Sequence, residues 1–129
     1  MEICPADQLA AKTCKPCEGG VPPCSRAESE AQLTRLDGWY LTHDGQRIRK
    51  DWNMRNFATG LEFFNQVAEI AEADGHHPDL HLAGYRHVSI ELWTHAIGGL
   101  SENDFILAAK IDQVVPANAT TSSGNRTPD

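Results

Sequence analysis

The sequence predicts one α+β domain, a two-layer sandwich in which helices cover one face of an antiparallel sheet. The chain has 129 residues, which suits a single hydrophobic core. Asp44-Gly45 lies between two segments of strand-like pattern and is a strong hairpin signal, so the strands beside it should pair antiparallel. Helical and strand patterns follow one another as helix, strand, strand, helix, strand, helix, as expected for helices packed on such a sheet.

The first helix and the hairpin follow from a capping signal and from alternation. Ser25 and Glu28 have the spacing of a capping box, so a helix should begin there and end near residue 36. Strands are predicted over residues 39–43 and 47–54. The second strand has Lys50 between inward-facing apolar residues, which are Ile48, Trp52 and Met54.

A long helix is predicted over residues 55–74, and Gly75 should end it. Its apolar residues form two edges. The first edge comprises Phe57, Leu61, Phe64, Ala68 and Ala71, and the second comprises Phe63, Val67 and Ile70. An apolar surface this wide indicates burial against more than one partner.

The rest of the domain should supply two more strands and a helix. A short strand is expected near residues 79–82. A longer one is expected over residues 85–94, where apolar and polar residues alternate. Ser101 and Asp104 form a second capping box, which predicts a helix that ends near residue 115.

Both ends of the chain are predicted to lie outside the domain, which spans residues 25–116. Residues 1–24 are rich in Cys, Pro and Gly, which predicts a flexible leader, and residues 117–129 are small and polar, which predicts a disordered tail. The leader contains every cysteine of the chain: Cys4, Cys14, Cys17 and Cys24. Cys14 and Cys17 could bind zinc or cycle between thiol and disulfide, but no second pair has suitable spacing, so a chemically idle leader is favoured.

Charge and hydropathy exclude several classes of partner. The net charge of −7 argues against binding to nucleic acid or to an anionic membrane, because both need a basic surface. No apolar run approaches the roughly 20 residues of a membrane span. The N-terminus has no basic stretch followed by a hydrophobic one, so we expect no secretory signal and a cytoplasmic protein.

Six histidines are present, and three of them are candidates for catalysis. His76 and His77 are adjacent at a helix end, and His95 ends the last predicted strand. Histidine can donate or accept a proton near neutral pH, so these rings could surround a small substrate. Alternatively, His76 caps the helix and His77 is solvated. A metal site is disfavoured, because adjacent side chains point apart in an extended chain and no metal-ligand spacing is present.

Two carboxylates could support these histidines. Glu72 precedes His76 by four residues, so one helical turn could bring their side chains together. Asp104 would take part only if its carboxylate faces the histidines. Both residues also have ordinary interpretations: Glu72 as a solvated surface residue and Asp104 as part of the capping box.

The candidate residues belong to a longer pattern. His76-His77-Pro78 is followed after six residues by Tyr85, after nine more by His95 and after eight more by Asp104. Together with the strings at residues 52–57 and 94–105, this spacing resembles the signature of pterin-4a-carbinolamine dehydratases. The resemblance covers about residues 25–115.

This resemblance implies a four-stranded antiparallel sheet with three helices on one face. It also implies removal of water from 4a-hydroxytetrahydropterin to give quinonoid dihydropterin, with no metal and no nucleotide cofactor. The residues it assigns are His76, His77 and His95 as pterin pocket and acid/base set, Glu72 and Asp104 as support, and Pro78 and Tyr85 as residues that shape the loop. The chain departs from the family pattern at Gly75, where animal members have aspartate, and at Asn103, where many members have arginine.

Two classes of function follow from the resemblance. One is the dehydratase, and the other is a non-enzymatic binding protein on the same scaffold, such as a transcription-factor dimerisation cofactor or a Rubisco assembly factor. The chain keeps all three pocket histidines, which favours the enzyme. A homodimer or homotetramer is expected, because the long helix has two apolar edges, Trp93 lies on the strand face away from the core, and the family forms dimers and tetramers.

Overall fold

The computed structural model describes residues 1–16 and 22–122. Within them the helices are α1 (Ala6–Ala11), α2 (Arg26–Leu33), α3 (Phe57–Asp74) and α4 (Glu102–Asp112). The strands are β1 (Tyr40–Thr42), β2 (Arg47–Asn53), β3 (Asp79–Ala83), β4 (His87–Leu92) and β5 (Thr120–Thr121). A 3₁₀ turn at His95–Ile97 connects β4 towards α4.

The strands form one antiparallel sheet in the order β1-β2-β4-β3, and β5 pairs with β2. β4 lies at the centre, where Val88 pairs with Trp52 of β2 on one side and with Leu82 of β3 on the other. The predicted α+β class and antiparallel sheet are confirmed. Helix α1 and strand β5 were not predicted from the sequence.

The core lies on the helix-covered face of the sheet. It receives alternate residues of β2 and β4, which are at most 2% exposed: Ile48, Trp52, Val88, Ile90 and Leu92. Lys50 occupies the same face and is also buried, since its ammonium group donates to Asp112 Oδ1 at 2.9 Å. The interruption that Lys50 makes in the apolar pattern is therefore compensated by an ion pair with α4.

Helix α3 begins at the cap Asn56 and ends at Gly75, which has a left-handed φ of 66° as its role as a terminator predicts. The core-facing residues are Gly60, Phe63, Val67 and Ala71. Of the other apolar edge, Phe57 is 50% exposed and Leu61 is 43% exposed. The edge with Phe63 and Val67 thus packs on the sheet, while Phe57 and Leu61 of the other edge are open to solvent in the single chain.

The N-terminal segment departs from the prediction of a flexible leader outside the core. Residues 6–11 form α1, which packs along α4, and Cys4, Leu9 and Cys14 are 1%, 0% and 7% exposed. The middle of α4, residues 105–109, is apolar on all its sides, so the sheet alone cannot cover it, and α1 supplies a second covering layer. Cys17 lies outside the described residues. Burial, reinforced by the nearby carboxylate of Asp74, raises the pKa of the Cys14 thiol to about 12, so this thiol stays protonated at neutral pH.

The C-terminal residues that follow α4 also differ from the predicted disordered tail. Thr120 and Thr121 pair with Asn53 and Trp52 of β2, so this stretch extends the sheet. Residues 123–129 of the predicted tail lie outside the described residues. No helix in the described ranges is long and apolar enough to cross a membrane.

Candidate active site

His76 is placed by the end of helix α3. The left-handed Gly75 turns the chain there, and the His76 N–H donates to the Ala71 carbonyl at 3.2 Å. The imidazole Nε2 lies 2.7 Å from Asp104 Oδ1, and the His76 side chain is 13% exposed. A carboxylate accepts hydrogen bonds, so Nε2 is the donor of this pair. The predicted contact between His76 and Glu72 is replaced by one with Asp104.

Asp104 is fully buried and has two roles. Its Oδ2 accepts from the backbone N–H of Ser101 at 3.0 Å and completes the predicted capping box of α4. The same oxygen accepts from the Thr94 hydroxyl at 2.8 Å, while Oδ1 faces His76. The carboxylate therefore does what both interpretations require, because it caps α4 and faces a candidate histidine.

His77 pairs with Glu72 instead. Its Nε2 lies 2.5 Å from Glu72 Oε2, and the side chains are 63% and 76% exposed. The pair spans five residues rather than four, because the left-handed Gly75 ends the helix before a regular i,i+4 contact with His76 can form. Glu72 is thus beside the histidine pair, as predicted, but contacts the other ring.

His95 is held by an aromatic ring. It begins the 3₁₀ turn after β4, and its imidazole stacks on Trp93 with 3.8 Å between ring centroids and 26° between ring planes. The indole N–H of Trp93 donates to Asp79 Oδ2 at 3.3 Å. Since Asp79 follows Pro78 directly, this bond ties the end of β4 to the segment that carries His76 and His77. Sequence reasoning did not find Trp93 or Asp79 as site residues.

The two loop residues have different positions. Pro78 lies between His77 and the start of β3 and is partly buried. Tyr85 lies beyond the other end of β3, has a φ of 57° and is 64% exposed. Five residues of extended strand span about 17 Å. Within one chain, the structure therefore does not bring Tyr85 to the histidines.

Asn103 connects the N-terminal segment to the site. Its side-chain Oδ1 accepts from the Lys15 N–H at 2.9 Å, and its Nδ2 donates to the Lys15 carbonyl at 2.5 Å. These two bonds fasten residue 15 beside Asp104. The short amide of Asn103 thus holds the chain's own backbone.

The arrangement gives three imidazoles, each held by its own partner: Asp104 from α4 for His76, Glu72 for His77 and Trp93 for His95. His76 and His95 are linked through Asp104, which binds both the His76 ring and Thr94, the neighbour of His95. Rings held in this way can donate and accept protons around a small molecule. Among the described residues, no group of three His, Cys, Asp or Glu side chains is arranged to hold a metal ion.

Comparison with known proteins decides the family. The model of the family described as "Pterin 4 alpha carbinolamine dehydratase" matches residues 22–114. The chain belongs to this family. The family resemblance seen in the sequence and the classification as a dehydratase are therefore confirmed.

Individual relatives of the dehydratase family agree with this assignment. An Arabidopsis thaliana protein named mitochondrial pterin-4-alpha-carbinolamine dehydratase 2 is 46% identical over 87% of this chain, which spans 62% of that relative's length. A Nitrosospira multiformis protein named for the same dehydratase is 51% identical over 82% of this chain and 91% of its own length. The solved structure of a transcriptional coactivator/pterin dehydratase from Brucella melitensis has a TM-score of 0.68 at 29% identity and covers 73% of this chain and 99% of that one.

Proposed function

We propose that this chain, a dehydratase by family, removes water from 4a-hydroxytetrahydropterin to give quinonoid dihydropterin, with His76, His77 and His95 as the acid/base set. The observation that supports these roles best is that one buried carboxylate, that of Asp104, binds both the His76 ring and the hydroxyl of Thr94, the residue before His95. These two contacts support the assignment of histidines that are 19 positions apart in the sequence to one site. The segment that holds His76 also carries His77, beside Glu72.

The chemistry requires a proton donor and a base. The hydroxyl on carbon 4a leaves as water once its oxygen is protonated, and a base removes the proton of a ring N–H so that the new double bond forms. His76 and His77 each direct Nε2 to a carboxylate, so proton exchange with substrate falls to their Nδ1 atoms. Each well-placed acid or base contributes roughly 10²–10⁴-fold. The reaction needs neither a metal nor a nucleotide.

The test is a dehydration assay on carbinolamine generated in situ, with the uncatalysed rate subtracted. His76→Ala and His95→Ala should each lower turnover by about 10²-fold or more while the fold is kept. His81→Ala is the matched control, because His81 is an exposed histidine on β3. Turnover near that of the unmodified chain in both single variants would refute the proposed roles.

The second candidate function is binding without catalysis. The name of the Brucella melitensis relative includes transcriptional coactivator, and α3 exposes Phe57 and Leu61 as an apolar edge that a partner could cover. The retained histidines and their carboxylate partners favour the enzyme. A chain that showed no dehydration above the uncatalysed rate would support the binding function instead.

We also propose that the chain forms a homo-oligomer in the cytoplasm, with a pterin as its small-molecule partner and without nucleic acid. The exposed edge of α3 supports self-association. Trp93, which suggested an oligomer in the sequence, does not support self-association, because Arg47 and His95 of the same chain cover its ring. Light scattering at micromolar concentration should give two or four times the 14.2 kDa of one chain, and Leu61→Glu should lower that mass. A mass of one chain would refute the oligomer.

A further inference from the structure

Trp93 is enclosed between a catalytic candidate and a cation. The His95 ring stacks on it at 3.8 Å, and the guanidinium carbon of Arg47 lies 4.2 Å from the ring centroid. A ring stacked this closely covers the face on which it lies, so the guanidinium occupies the opposite face. Trp93 therefore offers neither face to a planar ligand such as a pterin.

Arg47 is itself held by a buried carboxylate. Its NH1 donates to Glu91 Oε1 at 2.8 Å, and the Glu91 side chain is only 6% exposed. The other oxygen of Glu91 accepts from the Thr42 hydroxyl at 3.2 Å, and His43 Nδ1 lies 3.7 Å from it. A buried carboxylate is costly without a cationic partner, so Glu91 fixes the guanidinium in place. The planar guanidinium then fits the flat indole face better than an ammonium group would.

We propose that Arg47 is a positioning residue for His95, and that it acts through Trp93. This inference rests on the proposed function, in which His95 exchanges a proton with substrate. His76 and His77 are held by carboxylates, whereas His95 is an exposed side chain that stacks on a ring. The ring is fixed on one face by Arg47 and at its N–H by Asp79. Positioning matters because a misplacement of about 1 Å can cost about 10²-fold in rate.

Two pairs of variants test the inference. Arg47→Met removes the cation and the planar group, while Arg47→Lys keeps only the charge. Trp93→Leu removes the aromatic face, while Trp93→Phe keeps one. The matched control is Arg49→Met: Arg49 lies two residues along the same strand, on the same sheet face, is 31% exposed against 25% for Arg47, and pairs with Asp51 instead.

The first readout does not depend on activity. In proton–carbon NMR spectra, the ring current of Trp93 should shift the His95 ring signals upfield in the unmodified chain. Trp93→Leu should abolish that shift, Trp93→Phe should keep part of it, and Arg47→Met should reduce it. Arg49→Met should leave it unchanged. His95 signals in Arg47→Met that match those of the unmodified chain would overturn the inference.

The second readout separates kcat from KM. Arg47→Met should lower kcat about five- to tenfold with KM changed less than about twofold, since the group touches no substrate. Trp93→Phe should recover most of the activity that Trp93→Leu loses. An unaltered kcat in Arg47→Met would also overturn the inference. If the unmodified chain itself fails to dehydrate carbinolamine, the proposed function fails, and the NMR arm alone decides whether Arg47 positions His95.

A double variant that removes the unpaired charge controls for a loss of folding. Arg47→Met leaves Glu91 buried without its cation and could unfold the chain, which circular dichroism would detect. The double variant Arg47→Met/Glu91→Gln has no such charge and is then measured in its place. It should show the same reduced ring-current shift and lower kcat. Unchanged values in that variant would overturn the inference equally.

Discussion

Asp104 connects the stability of the fold to the candidate site. Its carboxylate caps α4 through Ser101 and binds the Thr94 hydroxyl, and it faces His76 at 2.7 Å, all without solvent exposure. Asp104→Ala removes all three contacts. The lost cap costs about 1 kcal/mol, and the two buried hydrogen bonds add about 1–3 kcal/mol each. We expect the free energy of unfolding to fall by about 3–7 kcal/mol, measured by urea titration with tryptophan fluorescence.

Asp104→Asn separates the two roles. The amide keeps the shape of the side chain and one carbonyl oxygen, which can still accept from Ser101 and Thr94. The free energy of unfolding should therefore fall by only about 1–2 kcal/mol. On the side that faces His76, an NH₂ group replaces the carboxylate oxygen. An NH₂ group donates, so it cannot accept the hydrogen bond from His76 Nε2. Turnover in the dehydration assay should therefore fall about 10–100-fold.

The control for this pair is Glu102→Gln. It makes the same carboxylate-to-amide change in the same helical turn, where Glu102 pairs with Lys12 at 2.9 Å near the surface. It should change the free energy of unfolding by less than about 1 kcal/mol and leave turnover unaltered. Full turnover in Asp104→Asn would refute the reasoning that this carboxylate holds His76 for proton transfer.

Two further predictions concern stability. Leu9→Ala should lower the free energy of unfolding by about 2–5 kcal/mol, because Leu9 is 0% exposed. Gln8→Ala, on the exposed face of α1, should change it by less than about 0.5 kcal/mol. Equal effects of the two substitutions in urea titrations would mean that α1 does not pack on the core. Burial alone would raise the pKa of Asp51, but hydrogen bonds from Ser89, Tyr40 and Arg49 outweigh it and hold the pKa below its ordinary value. The stability that this carboxylate contributes is therefore present above about pH 4 and is lost as the pH falls through the lowered pKa. Asp51→Asn should be less stable at pH 7 and should lose less stability between pH 5 and pH 2; parallel profiles of the two proteins would contradict this.

The elements of the fold that were predictable from the sequence carry local signals. Alternation defined β4, the two capping boxes defined the starts of α2 and α4, and Gly75 defined the end of α3. The N-terminal helix has no such signal, because six residues with one buried leucine are stable only against a surface elsewhere in the chain. The clue lay in α4, where residues 105–109 are five consecutive apolar residues. A helix apolar on every side needs a second covering layer, and the leader was the segment left to supply it.

The candidate site residues were also easier to choose from the sequence than their contacts were to predict. The spacing of the motif identified the three histidines, but not that His76 would meet Asp104 and His77 would meet Glu72. The i,i+4 rule assumes a helix that continues to the second residue. Gly75 ends the helix one residue too early for that. The contact with Asp104 spans 28 residues, so only the packing of α4 against α3 determines it.

The three histidines therefore depend on packing in different ways. The pair of His77 and Glu72 is local and exposed, so it requires only the end of α3. The His95 stack requires the register of β2 against β4, because Arg47 reaches Trp93 across these two strands. The His76 pair requires α4 to stay in place. Helix α1 packs on α4, and Asn103 binds the backbone of Lys15 next to Asp104. The described part of the N-terminal segment therefore helps to hold α4, and with it Asp104, in place.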